Sequence, residues 1–148
     1  MRVVIGYGLA VICSYLTGAV LISQGNISRI TDMGFEITLT QRLDSAGHDI
    51  MNMYSIYLPL IAIALLIAFV VAAQVIRHLP HLRLIGYILA GFVGMIAIHV
   101  MLKQVVGISG IAPARTLLGL FAQGVAGALG GYCFYWITQQ VGSDQAER

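Results

Sequence analysis

The chain has 148 residues and a formal net charge of +2, and 59% of its residues are hydrophobic while only 9% are charged. Soluble domains carry about 25% charged residues, so this chain has too few to cover a soluble surface. The small net charge, without a basic run, gives no indication of nucleic-acid binding. The apolar excess predicts a single-domain, all-α integral membrane protein whose partner is the lipid bilayer.

Apolar segments of bilayer length predict a transmembrane four-helix bundle. Their expected bounds are residues 3–23, 48–77, 82–106 and 114–139, followed by a polar tail at 140–148. The second segment is longer than the ~30 Å hydrocarbon core, so we expect it to tilt or to project beyond it. Tyr54 and Tyr57 suit the headgroup interface. Pro59 is expected to bend this helix because it removes a backbone hydrogen bond.

The connection between the first two helices, residues 24–47, is the longest polar stretch of the chain. Residues 26–32 predict a short helical turn that ends at Gly34. From 35 to 40 apolar and polar residues alternate, and this period of two predicts an extended segment with one apolar face. We expect a partly ordered connection that lies on the membrane surface or caps the bundle.

Small residues recur every three or four positions along three of the predicted helices. This spacing places them on one helix face, where a neighbouring helix can approach closely. The candidate helix-packing residues are Gly86, Gly94, Gly119 and Gly130. A lone bundle needs some of these residues for its own core. Three such stripes leave surface for a second protomer or for a larger membrane complex.

The sharpest candidate for chemistry is a histidine pair, His48 at the start of the second helix and His99 near the end of the third. These helices run antiparallel, so both residues fall toward the same leaflet. Two neutral imidazoles on facing helices are able to ligate a b-type haem or a metal ion, with Asp49 or Glu36 orienting one ring. The simpler interpretation is an interfacial His48 and a hydrogen-bonded His99. No cofactor is predicted outside this alternative.

A polar row on the second helix is the other candidate, because Asn52 and Ser55 share a face with His48. Gln123 on the fourth helix would meet this face, and Lys103 lies near its rim. Polar groups within a bilayer usually point into the bundle or a cavity. The row therefore predicts a small polar cavity, as in a small-solute channel or transporter. The simpler interpretation is interhelical hydrogen bonding that sets the packing.

The even number of helices places both termini on one side of the membrane. Basic residues divide four against four between the two sides, so the positive-inside rule decides little. Arg77 and Arg83, concentrated in one tight turn, favour cytoplasmic termini. His78 and His81 lie in the same turn, where they either bind anionic lipid or serve as ordinary topology signals. The overall composition is typical of a bacterial inner-membrane protein.

No segment carries a motif specific enough to indicate a reaction. Cys13 and Cys133 lie inside apolar segments and are expected to be small buried hydrophobic residues. Gly-x-Ser-x-Gly, His-Glu-x-x-His and paired carboxylates within a span are missing from the sequence. We therefore expect a non-enzymatic protein that acts as a homo-oligomer or as an accessory subunit of a membrane complex. A haem- or metal-binding protein and a channel or transporter stay open as alternatives.

Overall fold

The computed structural model describes residues 1–106 and 116–146, with side chains over 1–104 and 116–139. All regular structure among the described residues is helical, without a strand. They form α1 (Arg2–Asp32), α2 (Leu39–His78), a 3₁₀ turn (Pro80–Leu82), α3 (Arg83–Val106) and α4 (Leu117–Ala146). Each of the four α-helices contains a segment long and apolar enough to cross a membrane, which indicates a membrane protein. The prediction of an all-α chain with four helices of membrane length is confirmed.

The four helices pack as a ring in which α4 lies between α3 and α1. The closest approaches are on both sides of α4. A Cβ on Gly127 would overlap the backbone of Gly91 in α3. A Cβ on Gly130 would lie 2.9 Å from the carbonyl oxygen of Ala10 in α1 and would overlap the hydroxyl of Ser14. Glycine at these positions therefore brings α4 into backbone contact with both neighbours.

Aromatic side chains fill the half of the bundle that is nearer the 3₁₀ turn. Phe69 of α2 stacks on Phe134 of α4, with ring centroids 4.8 Å apart. Tyr87 of α3 packs edge-on against both rings. Nearby, the hydroxyl of Tyr7 in α1 donates a hydrogen bond of 2.5 Å to the carbonyl oxygen of Ala62 in α2. These contacts fix α2 against the other three helices by side chains.

The connection between α1 and α2 differs from the predicted one. The two helices continue through most of the segment 24–47 and leave only residues 33–38 between them. Residues 35–38 have no regular structure, and the rest of the predicted extended segment lies in the first turn of α2. The polar residues at 24–32 and 40–47 lie on helix surface beyond the apolar spans, where polar side chains are solvated without breaking a helix.

A capping box explains why α2 begins earlier than predicted. The Thr38 hydroxyl accepts a hydrogen bond of 3.3 Å from the backbone N–H of Gln41. The Gln41 side chain in turn accepts one of 2.9 Å from the backbone N–H of Thr38. This reciprocal pair satisfies two N–H groups that otherwise lack partners at a helix start. Gly34, whose φ is +92°, allows the chain to reverse its direction just before α2 begins.

The two helices of this hairpin are longer than a membrane requires. At 1.5 Å per residue, the 31 residues of α1 span about 46 Å and the 40 residues of α2 about 60 Å. The hydrocarbon core is about 30 Å thick, so both helices extend well beyond it. α2 is continuous through Pro59. We call residues 24–47 the hairpin end.

Candidate functional site

The structure does not bring the two predicted histidines together. The side chain of His48 is 75% exposed, and its Nδ1 lies 3.9 Å from the carboxylate of Asp49. His99 is buried inside the bundle, against the ring of Tyr57. Tyr57 is nine residues beyond His48 on α2, a rise of about 13.5 Å. Within the part of the chain described, no three His, Cys, Asp or Glu residues gather as a metal site.

The predicted polar row also divides between the outside and the inside of the bundle. Asn52, Ser55 and Lys103 are exposed. The Asn52 amide donates a hydrogen bond of 2.7 Å to the carbonyl oxygen of His48, in the preceding turn of the same helix. Gln123, by contrast, is 1% exposed. The row on α2 and Gln123 therefore do not line one common cavity.

Gln123 instead joins three helices through a buried hydrogen-bond chain. The hydroxyl of Tyr57 in α2 donates a hydrogen bond of 2.5 Å to its Oε1 atom. Its Nε2 atom donates one of 3.3 Å to the carbonyl oxygen of Gly18 in α1. A Cβ on Gly18 would lie 2.8 Å from the Tyr57 hydroxyl oxygen, so glycine is needed for this arrangement. Satisfied groups of this kind fix the mutual positions of α1, α2 and α4.

His99 lies next to the hydrogen-bond chain of Gln123, and one of its ring nitrogens makes no hydrogen bond to the described residues. Its ring packs edge-on against Tyr57, with centroids 5.8 Å apart. Its Nδ1 lies 2.7 Å from the carbonyl oxygen of Met95. A carbonyl only accepts, so Nδ1 carries the proton and Nε2 presents a lone pair in the neutral ring. Nε2 is buried and, among the described residues, has no hydrogen-bond partner. The site therefore offers one acceptor to a polar ligand.

The hairpin end carries a second feature of functional interest, a group of exposed apolar side chains between residues 30 and 43. We call it the hairpin-end surface. Its members are Ile30, Met33, Phe35, Leu39 and Leu43. On α2 this surface continues the core face, because steps of three and four residues lead from Leu39 and Leu43 to the buried Ala46. The same face that packs inside the bundle is thus exposed at its far end.

Polar contacts hold the hairpin end in one arrangement. The hydroxyls of Ser23 and Ser45 are 3.1 Å apart across the two helices. The guanidinium of Arg42 donates hydrogen bonds of 3.3 Å to the Gln24 side chain and 3.4 Å to the Thr31 hydroxyl. The Gln24 amide donates one of 3.3 Å to the carbonyl oxygen of Arg42. The exposed apolar side chains are therefore presented on an ordered support.

The four predicted helix-packing glycines have different environments. Gly86 and Gly94 face α2: a Cβ on Gly94 would lie 2.9 Å from the Cβ of Ala68. Gly130 faces α1 in the close contact described above. Gly119 is half-buried in the first turn of α4, where its N–H donates a hydrogen bond of 3.1 Å to the Thr116 hydroxyl.

The close glycine contact that joins α3 to α4 was not among the predicted packing sites. A Cβ on Gly91 would overlap the backbone of Gly127, and one on Gly131 would overlap the carbonyl of Tyr87. The signal was present as the spacing Gly127-x-x-x-Gly131, which is a known pattern for close helix pairs in membranes.

Comparison with known proteins assigns the chain to no family. No protein-family model matches it, and neither a search of curated proteins nor one of solved structures finds a match.

Proposed function

We propose that this chain is a non-enzymatic protein of the bacterial inner membrane that assembles as a homo-oligomer through its hairpin-end surface. The observation that supports this is the exposure of Leu39 and Leu43, at 72% and 65%. They continue the buried face of α2 beyond the apolar span. Contiguous apolar surface rimmed by polar groups marks interaction sites on proteins. Covering both leucines supplies the free energy of association.

A second copy is the partner that suits this surface best. Copies inserted in the same orientation present the same patch at the same height, so a twofold axis along the membrane normal brings the two patches together. Neighbouring charges are mixed and compatible with such a pairing. Two arginines and three acidic residues lie near the surface: Arg29, Arg42, Asp32, Glu36 and Asp44. The patch is therefore close to neutral and does not repel its own copy.

The orientation in this proposal places both termini in the cytoplasm and the hairpin end outside. Arg77 and Arg83 lie at the end of the bundle away from the hairpin end. Basic residues divide four against four between the two sides, so this orientation rests on the concentration of Arg77 and Arg83 in one tight turn, which the positive-inside rule favours on the cytoplasmic side.

Cysteine cross-linking in membranes tests the proposal. The native Cys13 and Cys133 are first replaced by alanine, and Leu43→Cys is then introduced on the hairpin-end surface. Asn52→Cys is the matched control, because it is exposed on the opposite face of the same helix. Mild oxidation is expected to give a covalent dimer with Leu43→Cys and little with Asn52→Cys. The proposal fails if both positions cross-link equally, or if Leu43→Cys reacts with a maleimide but does not form a dimer.

Binding of a small polar ligand inside the bundle is a second candidate function. The free, buried Nε2 of His99 is the observation that favours it. In this candidate function, His99 alone would bind the haem or other ligand, whereas the sequence predicted that His48 and His99 bind it together. An absorption spectrum of protein purified from its native source tests the haem version. A Soret band that disappears in the His99→Ala variant would support it, and a spectrum without such a band would remove it. We find no observation that favours a channel or transporter.

A further inference from the structure

The space between α2 and α3 is an open groove with a volume of about 540 Å³. All of its lining residues are apolar. One wall runs from Ile63 along α2 to Leu79 just beyond its end, and the opposite wall runs from Leu82 in the 3₁₀ turn along α3 to Met101. At 1.5 Å per residue these walls are roughly 24–28 Å long. The groove is therefore long enough to hold a hydrocarbon chain from one leaflet and to extend past the middle of the bilayer.

One end of this groove meets a turn that carries only basic charges. We call residues 77–83 the basic turn. Leu79 and Leu82 belong both to this turn and to the groove lining. The chain has no Asp or Glu between Asp49 and Asp144, so no acidic residue neighbours the turn in sequence. The groove thus leads from apolar walls directly to a cluster of cations.

The basic side chains of the turn differ in their availability. Arg77, His78 and His81 are exposed. Arg77 contacts the uncharged Gln74 side chain at 3.4 Å. Arg83 is half-buried and donates a hydrogen bond of 3.2 Å to the Thr138 hydroxyl of α4. Arg83 therefore ties the turn to the bundle, whereas Arg77 keeps its charge available to a ligand.

We propose that the α2–α3 groove and the basic turn together form a binding site for an anionic phospholipid. One acyl chain lies along the groove, and the phosphate meets Arg77 with the two histidines beside it. Basic pockets between helices, at the headgroup level, are suited to anionic lipid headgroups. In the cytoplasmic orientation proposed above, the turn faces the leaflet that is enriched in such lipids.

A phospholipid suits this site better than a helix of another protein. A docked helix would cover the apolar walls, but nothing would require it to carry an anion at the height of the basic turn. A phospholipid necessarily places its phosphate at the end of its acyl chains. The combination of an apolar groove and a cationic mouth therefore matches one molecule that contains both chemistries.

Native mass spectrometry of the purified protein tests the site by titration with phosphatidylglycerol and with phosphatidylcholine of the same acyl chains. The wild type is expected to bind phosphatidylglycerol at least five times more tightly, since a basic residue near an anionic surface contributes about that factor. Arg77→Gln is expected to lower this preference about fivefold. Arg29→Gln at the hairpin end is the matched control and is expected to leave it unchanged. Equal affinity of the wild type for both lipids would overturn the proposal, as would an unchanged preference in Arg77→Gln.

A groove-filling variant tests the acyl-chain part of the site. Ala97 is an exposed lining residue, so Ala97→Phe is expected to weaken binding of both lipids severalfold. Leu118→Phe is the control, because Leu118 is exposed on α4 away from the groove. Soluble glycerol 3-phosphate in millimolar excess is expected not to displace phosphatidylglycerol. Complete displacement by it, or unchanged lipid binding in Ala97→Phe, would show an anion site without a lipid groove and would contradict the proposal.

Discussion

Helices α4 and α2 are packed in different ways, although both lie between two neighbours in the same ring. α4 is in backbone contact on both sides, through Gly127 against Gly91 and through Gly130 against Ala10. α2 meets its neighbours mainly through side chains, leaves the groove beside α3 and exposes its core face at Leu39. Backbone contacts tolerate almost no change, whereas side-chain contacts adapt.

This difference separates the helices that hold the bundle together from the helix that carries surfaces open to other molecules. α1, α3 and α4 form the closely packed part of the bundle, fixed by glycines. α2 carries the surfaces that are open to other molecules, which are the hairpin-end surface and one wall of the α2–α3 groove. The buried chain of Tyr57, Gln123 and Gly18 ties α2 to the close-packed part.

A methyl group added on α4 is expected to lower the stability of the bundle far more than one added on the face of α3 that packs against α2. In Gly127→Ala the new Cβ overlaps the Gly91 backbone, which cannot move aside cheaply. We expect the free energy of unfolding in detergent to fall by about 3 kcal/mol. In Gly86→Ala the new Cβ meets the end of the flexible Ile76 side chain at 3.0 Å, and alanine favours the helix. This control should lose no stability, and equal losses in both variants would contradict the difference between the two helices.

Removing the buried amide of Gln123 is expected to have the next largest effect. Gln123→Leu leaves the Tyr57 hydroxyl and the Gly18 carbonyl without their partner, at a cost of about 1–3 kcal/mol. Asn52→Ala removes an amide that is exposed and bonded only within its own helix, so its effect should stay below about 0.5 kcal/mol. Thermal unfolding of both variants measures this. If Asn52→Ala lost more stability than Gln123→Leu, the polar group needed for packing would lie on the exposed face of α2 and not at Gln123, which would contradict the structure.

The smallest expected effect concerns the start of α2. Thr38→Ala removes the cap that satisfies the Gln41 N–H and is expected to cost about 1 kcal/mol. Because the hairpin end lies beyond the close-packed part, the effect should be local. Hydrogen exchange of residues 39–42 is expected to accelerate while that of α3 and α4 is unchanged. Faster exchange throughout the bundle would show that the hairpin end is coupled to the core.

The apolar composition was sufficient to predict the fold class and the number of helices, because a helix of bilayer length needs a long apolar run and few alternatives exist. Hairpin bounds were less predictable. Most of residues 24–32 and 40–47 are polar, and polarity alone does not distinguish a loop from a solvated helix. The pattern Thr38-x-x-Gln41 was the available signal for the start of α2.

The candidate site was harder to predict, because sequence separation does not determine which side chains meet. Gln123 was identified as a polar residue of the bundle, but its partner Tyr57 resembled an interfacial aromatic. His48 and His99 fall toward one end of antiparallel helices, yet one is exposed and the other buried. The rotation of each helix about its axis decides such pairings, and it depends on packing against all neighbours at once.

Dimer formation through the hairpin-end surface is tested by the mass of the protein in lipid nanodiscs or mild detergent, measured by light scattering. Because we propose a dimer, we expect twice the 15.9 kDa chain mass for the wild type. It predicts a single chain mass for Leu39→Ser with Leu43→Ser, which makes the hairpin-end surface polar but leaves the bundle intact. Leu66→Ser with Val70→Ser, made on a face of α2 that is exposed within the span and lies outside the α2–α3 groove, is the control and should stay dimeric. A wild type of single mass, or an unchanged dimer in the leucine double variant, would contradict the account.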